Sequence, residues 1–378
     1  MIQYPEFGYY EYDGNSYFDK FDVLDLALSK KDYNPNITFN FNDHVYSKID
    51  WEKEPEFSLN ELYKIRAQQL RDSYDYLILM YTGGSDSHQI LHSFLDNDIF
   101  LDEVQSIHPL KITSSLKAVE DTNHQNAFLF EYDLTTVPGL KELNKKSPKT
   151  KIEILDMSDD LMNYCGDENY FGDRRHPSQF GVYHMIKTNV GLEYNRKNSE
   201  RKGKVAVIYG VDKPKLVIRN NKLFSYFVDV GRPGAQPQRK ENDVNYKTVF
   251  FYLTPDLPLI TVKQSHVIKK FIEKIPSVYD AFISKKDIIK TSVLMRQIIY
   301  PSWNTNIFQS NKIGNAFSWH EEQKFLESLN TGMGNFINSR KQSLINKYSK
   351  FDINFDSIWM MTVFSKYYYI GDIKREQI

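Results

Sequence analysis

Apolar positions along the chain switch between helical spacing and short unbroken runs, and the order of these switches outlines a fold. In SLNELYKIRAQQLRDS (58–73), Leu62, Ile65 and Leu70 fall on one helical face, and Ser58 and Glu61 stand at capping-box spacing, so a helix is expected there. YDYLILMY (74–81) is a continuous apolar run, the pattern of a strand buried on both faces of a parallel sheet. SHQILHSFLDND (87–98) returns to helical spacing with Ile90, Leu91, Phe94 and Leu95 inward. Val104 to Ile107 reads as the next strand, 114–132 as a helix and KIEILDM (151–157) as a third strand. Helical stretches follow near 158–165 and 177–190, and KVAVIYG (204–210) is a fourth strand. Strands alternating with helices predict an α/β fold, a parallel sheet with helices on both faces.

The flanks have a different texture. Residues 1–57 are aromatic, polar and weakly periodic, and read as an N-terminal extension with short strands. The central unit runs over 58–258 and carries a strand-rich insertion near 215–253. Within it, LVIRN and KLFSYFVDV suit a hairpin around Asn220-Asn221, RPGAQPQRKENDVNY (232–246) a loop and KTVFFYL a further strand. Residues 259–378 are expected to form a mainly helical C-terminal part that shapes a substrate region, with a break at RQIIYPSWNTNIFQSNK (296–312).

Composition narrows the classes. Apolar residues make up 41% of the 378, enough for a sizeable core. The formal net charge of -1 provides no global basic field for bulk nucleic-acid binding, which leaves only a local patch. The single cysteine, Cys165, excludes an intrachain disulfide and thiolate-rich zinc, and reads as a small buried side chain in a reducing, cytoplasmic setting. MIQYPEFGYYEYDG lacks the basic and apolar regions of a signal peptide, and no apolar run reaches the roughly 20 residues that span a bilayer. Abundant Lys, Asn, Ile, Tyr and Phe with little Ala suit an AT-rich genome such as that of some bacteria or phages.

The chemistry-bearing candidate lies between the first buried strand and its helix: Thr82, Gly83, Gly84, Ser85, Asp86 and Ser87. A helix N-terminus presents unpaired N–H groups and the positive end of the dipole, and glycines let backbone wrap closely around a phosphate. The hydroxyls of Thr82, Ser85 and Ser87 can donate to phosphate oxygens. Asp86 would repel a bare phosphate, so its presence implies an intervening cation, for which Mg²⁺ with a hard carboxylate and phosphate oxygens is the natural choice. The spacing is neither that of a Walker A loop, nor GxGxxG, nor GxSxG.

TGGSDS resembles the SGGxDS pyrophosphate loop of the N-type ATP pyrophosphatases, the PP-loop superfamily, with Thr82 in place of the usual Ser. That superfamily includes asparagine synthetase, NAD and GMP synthetases and tRNA-modifying enzymes. The resemblance covers about 74–215. It implies an adenine nucleotide alpha hydrolase-like fold and cleavage of ATP between its α and β phosphates. AMP goes to a substrate oxygen before a nitrogen or sulfur nucleophile displaces it. Carried over by position, Thr82, Gly83, Gly84, Asp86 and Ser87 become pyrophosphate and magnesium residues, with adenine near Ser106, Ile107 and His108.

Further candidates surround this motif. YGVDKP (209–214) follows the fourth strand, where Asp212 can add a magnesium ligand and Lys213 can neutralise an α-phosphate; an ordinary Asp-Lys-Pro turn is the plainer alternative. Arg174 and Arg175 in GDRRHPSQ suit a carboxylate or phosphate on the acceptor, and equally a surface charge cluster. Lys263 and Gln264 are read at a helix start within reach of phosphate, or simply as a solvated one. Trp303 and Tyr300 suit core more than pocket, and His88 and His92 read as helix-surface histidines. Ile2 stands where glutamine-dependent synthetases carry a nucleophilic cysteine, and one cysteine disfavours sulfur insertion. The expectation is therefore an ATP- and Mg²⁺-dependent adenylating ligase for amidation or amine ligation. A tRNA- or DNA-base-modifying enzyme, or an ATP-binding module without turnover, stay open.

Overall fold

The computed structural model describes residues 7–18, 20–108, 110–111, 132–156, 158–159, 197, 200–210, 213–229, 246–284, 288–303, 339, 342–343, 346–351 and 363–374. Their strands are β1 (Tyr9–Tyr12), β2 (Asn15–Tyr17), β3 (Thr38–Asn40), β4 (Tyr76–Met80), β5 (Glu103–His108), β6 (Lys151–Asp156), β7 (Val205–Tyr209), β8 (Lys215–Arg219), β9 (Lys222–Tyr226), β10 (Tyr246–Phe250) and β11 (Tyr368–Asp372). The helices are α1 (Lys20–Ser29), α2 (Asp43–Tyr46), α3 (Leu59–Ser73), α4 (Ser85–Leu95), α5 (Val137–Lys146), α6 (Leu259–Lys274), α7 (Pro276–Ser284) and α8 (Ile288–Ile299). A π-helical turn, Tyr132–Thr136, leads into α5.

The centre is a five-stranded, all-parallel sheet in the order β10-β7-β4-β5-β6. The chain builds outward from β4 through β5 to β6, then returns to lay β7 on the other side of β4 and β10 beyond it. The direction of winding therefore reverses between β4 and β7, and in open α/β sheets ligands bind outside the strand C-termini at that switch. β10 belongs to this sheet and not to the strand-rich insertion expected near 215–253, because its Val249 and Thr248 pair with Ile208 and Val207 of β7.

Why these segments form these elements is mostly local. The capping box that starts α3 is complete: Ser58 Oγ accepts from the Glu61 N–H at 3.3 Å, and Glu61 Oε2 accepts from the Ser58 N–H at 2.7 Å. Leu59, Leu62, Tyr63, Ala67 and Leu70 bury the helix against Leu77, Leu79 and Tyr81 on one face of the sheet. Ile65, expected on that face, is exposed, and Arg66 occupies the inward position instead. α4, α5 and α6 contribute Ile90, Leu91, Phe94, Leu140, Leu143, Ile260 and Ile268 to the same core. The opposite face, with Ile78, Val205 and Val207, is buried as well. Burying such side chains contributes about 1.5–3 kcal/mol each. The helices expected at 114–132, 158–165 and 177–190, and the loop at 232–246, fall almost entirely outside the described residues.

Two small antiparallel sheets flank this centre. β2-β1-β3 forms from the N-terminal segment, and Phe41, Tyr46 and Trp51 behind it pack on Phe227 and Tyr368. β11-β9-β8 joins the expected hairpin to a strand from the far C-terminal part. Asn220 and Asn221 both take positive φ, 49° and 62°, as a two-residue hairpin turn requires.

Candidate active site at the switch point

β4 ends at Met80, and the loop that follows turns inward on itself before α4 begins. Gly83 has φ 74°, a left-handed conformation that favours glycine. A Cβ there would collide with Thr135 Oγ1, so the turn also depends on close packing against the π-helical turn. Gly84 needs no such freedom: it is extended, at φ -69° and ψ 162°, and is the N-cap of α4. Since it has no side chain to offer, the first-turn N–H groups of Ser85, Asp86 and Ser87 receive no side-chain cap. The loop thus presents the uncapped, positive end of an 11-residue helix at the switch.

The hydroxyls are arranged differently from expectation. Thr82 Oγ1 accepts from the Gly84 N–H at 3.3 Å, and Ser87 Oγ accepts from the Thr82 N–H at 3.3 Å while donating to the Gly84 carbonyl at 3.2 Å. Thr136 Oγ1 donates to the Thr82 carbonyl at 2.8 Å. Thr82 and Ser87 therefore hold the shape of the turn, and Ser85 is buried. What the loop offers a ligand is its backbone, Asp86 and the O–H of half-buried Thr82, whose oxygen accepts from Gly84.

Asp86 is held from two other segments. Lys213 Nζ lies 2.6 Å from Oδ1, and Tyr300 Oη donates to the same oxygen at 2.5 Å. Oδ2 takes no hydrogen bond among the described residues. The Tyr252 hydroxyl donates to the Asp86 backbone carbonyl at 2.8 Å, and the rings of Tyr252 and Tyr300 sit 5.2 Å apart. Burial first, and then for Tyr300 the Asp86 charge, push both phenols well above the usual tyrosine range, so both stay protonated donors. Gly210, directly after β7, allows this approach: a Cβ there would come within 2.9 Å of Asp86 Cβ. Ser302 N–H donates to Gln89 Oε1 at 2.9 Å, so the turn after α8 is fastened to the second turn of α4.

The predicted residues thus divide. Asp86 and Lys213 meet across the switch, with side chains 27% and 15% exposed. Ile107 is buried near the end of β5, at the same sheet edge, beside His108, whose Nε2 lies 2.9 Å from Ser106 Oγ. Lys263 does not start its helix, since α6 begins at Leu259; its ammonium is engaged by Glu54 Oε1 at 2.7 Å and the Pro55 carbonyl at 3.0 Å. His88 and His92 are buried, not on the helix surface, with His88 Nδ1 3.2 Å from Tyr81 Oη. Asp212, Arg174, Arg175 and Cys165 lie outside the described residues. Sequence reasoning did not link Tyr300, Tyr252 or Gly210 to the loop. Only Gly210, a second glycine directly after an apolar strand, carried a signal.

A magnesium ion fits this donor set in one manner. Among the described residues no group of three His, Cys, Asp or Glu side chains could hold a metal. Asp86, with Oδ2 open, can therefore supply one carboxylate to a cation whose other ligands are water and phosphate oxygens, the usual arrangement for Mg²⁺. No described helix is long and apolar enough to cross a membrane. Comparison of the chain with protein-family models, with curated proteins and with solved structures found no match to any of them.

Proposed function

We propose that the chain is an ATP pyrophosphatase of the PP-loop type with an adenine nucleotide alpha hydrolase-like fold, acting as an adenylating ligase for amidation or amine ligation. A carboxylate or carbonyl oxygen of an acceptor bonds to the α-phosphorus of ATP, and the bond from that phosphorus to the α–β bridging oxygen breaks. A nitrogen nucleophile then adds at the activated carbon, the carbon–oxygen bond to AMP breaks, and the nitrogen loses a proton to solvent or a base. Mg²⁺ held by Asp86 would neutralise charge building on the departing pyrophosphate. The first-turn N–H groups of Ser85, Asp86 and Ser87 bind and orient the phosphates. The Lys213 ammonium supplies positive charge from the β7 side of the same crevice.

One observation carries this reading. The only segment of the sequence that resembles a pyrophosphate loop sits at the sheet's topological switch, with an uncapped helix N-terminus and a carboxylate–ammonium pair spanning β4 and β7. Titration calorimetry of ATP, with and without Mg²⁺, into wild type and Asp86→Ala tests it. Magnesium-dependent binding that is lost in the variant is expected. A folded wild type that binds no ATP would sink the proposal, and an acceptor-dependent turnover yielding ADP and phosphate would remove the α–β cleavage.

A further inference from the structure

The β11-β9-β8 sheet shows one face to the core and one to solvent. Residues directly opposite one another share a face. Leu223, Ser225 and Tyr368 point inward and are buried. The other face is set by the pairs Lys215↔Tyr226, Val217↔Phe224, Arg219↔Lys222 and Tyr369↔Phe224. It therefore carries aromatics in adjoining rows, with cations between them.

The rings form one continuous surface. Phe224 is 5.5 Å from Tyr369 and 6.4 Å from Tyr367, and Tyr226 is 5.1 Å from Tyr367 and 5.5 Å from Phe364. Phe364 is 44% exposed, and Phe224, Tyr226, Tyr367 and Tyr369 are half-buried. Cross-strand aromatic pairing stabilises such a sheet, but it does not call for cations above the rings. Here the Arg219 guanidinium lies 4.1 Å from the Tyr367 ring centroid and donates to its hydroxyl at 2.8 Å, and Lys222 Nζ lies 5.5 Å from the Tyr369 ring. Asp372 stands opposite Lys222 and already accepts from Tyr369 Oη at 2.8 Å, and Glu52 adds a second negative charge near that phenol, against the three cations Lys215, Arg219 and Lys222.

We infer that the solvent face of the β8–β9–β11 sheet docks single-stranded nucleic acid, with bases stacking on Phe224, Tyr226, Tyr367 and Tyr369 and phosphates met by Lys215, Arg219 and Lys222. Charge and ring placement choose this occupant together. A polyanion complements three cations on a chain whose formal net charge is only -1. Unpaired bases alone expose π-faces to rings and to a guanidinium plane. Residues two apart along a strand step about 6.8 Å, close to the base-to-base step of an extended single strand. A duplex hides its base faces and gives such a sheet only its phosphates. The inference does not rest on the nucleotide site and concerns different residues.

Fluorescence anisotropy tests it with the full chain and no ATP present, using labelled oligo-dT, oligo-U and a duplex, each about 15 nucleotides long. At about 50 mM salt either single strand should bind more tightly than the duplex. For three phosphates the single-strand affinity should fall about 20-fold on going to about 200 mM. Phe224→Ala and Tyr367→Ala should each weaken binding by about 5- to 100-fold in a chain that still melts cooperatively, at a somewhat lower temperature for the lost cross-strand pairs. Arg219→Met should flatten the salt dependence by roughly a third. If Phe224→Ala does not fold, Lys222→Ala at an exposed position gives the same salt readout. Absence of single-strand binding at low salt, equal affinity for the duplex, or folded Tyr367→Ala and Lys222→Ala variants that bind like wild type would each overturn the assignment.

Discussion

Two carboxylates on neighbouring parts of the central sheet use similar partners to opposite ends. Glu103 opens β5 at the N-terminal edge and is fully buried. It accepts from Tyr76 Oη at 2.8 Å and from Gln105 Nε2, and it pairs with Lys151 Nζ at 3.3 Å and with Arg201, whose guanidinium lies 4.3 Å from the Tyr76 ring centroid. Both of its oxygens are taken. Asp86, at the C-terminal edge, takes an ammonium and a phenol on Oδ1 and nothing on Oδ2 among the described residues, and is partly exposed beside an uncapped helix start. A saturated buried carboxylate fixes structure, because any new ligand must displace a partner. A half-occupied one next to a helix start without a side-chain cap can take a cation without breaking the fold.

The largest effect should come from breaking the saturated member. Glu103→Ala removes the carboxylate partner of Arg201 and the acceptor of Tyr76 and Gln105, and should lower stability by about 3–5 kcal/mol. It would be read as a fall in the urea midpoint at constant slope, with unchanged nucleotide affinity in whatever fraction stays folded. A loss below about 1 kcal/mol would mean that the cluster is not the fastener its contacts suggest. Asp86→Ala should show the reverse profile. Magnesium-dependent ATP affinity should fall at least about 100-fold, the scale of a lost metal carboxylate. Stability should drop by only about 1–2 kcal/mol, for the Tyr300 hydroxyl left without its acceptor. Retained affinity would make the two carboxylates equivalent and dissolve the comparison.

A smaller effect sharpens how the helix start is kept free of further charge. His88, two residues beyond Asp86, is pushed down to about 4, first by burial and then by His92, whose ring centroid is 4.5 Å away; Glu142 and Asp96 pull in the other direction. Its folded pKa is depressed, so the unfolded chain takes up a proton near 6.5 where the folded one does not. Stability is therefore full above pH 6.5 and declines as pH falls towards 4, by about 2 kcal/mol between pH 7 and pH 5. Thermal melts across that range should show the decline in wild type and a flatter curve in His88→Gln. Equal slopes would place the titration elsewhere.

What the sequence disclosed follows the range of the interactions. The capping box of α3, the apolar run of β4 and the Asn220-Asn221 turn are written within a few residues, and each appears as expected. So does the placement of the loop at a strand end, because the alternation of strands and helices sets it. Partners brought together from far along the chain left no local mark. Tyr300 reaches Asp86 from 214 residues away, and nothing in IYPSW distinguishes a phenol that will be buried on a carboxylate from one that will only fill the core. Ile65 misled because helical spacing marks a stripe wider than the buried one, and Arg66 could turn inward once Asp256 and the Phe250 carbonyl received its guanidinium. Lys263 misled because a cation's use depends on which carboxylate reaches it first, and that was Glu54.

The smallest change tests what the phenol does for the open carboxylate. Tyr300→Phe keeps the ring against Tyr252 and removes one charge-assisted hydrogen bond from Asp86 Oδ1. With Lys213 still in place, the carboxylate keeps its charge partner but gains rotational freedom, and holding it again for a cation costs about 0.5–1 kcal/mol. Magnesium-dependent ATP affinity should therefore weaken by about 2- to 5-fold, by calorimetry, with little change in melting temperature. Tyr300→Ala also removes a fully buried ring, so it should cost about 3–5 kcal/mol of stability and cannot separate the two roles. If Tyr300→Phe instead binds more tightly, the hydroxyl competes with the cation for Oδ1. Asp86 would then be held shut in the empty protein, and its contrast with saturated Glu103 would be one of degree.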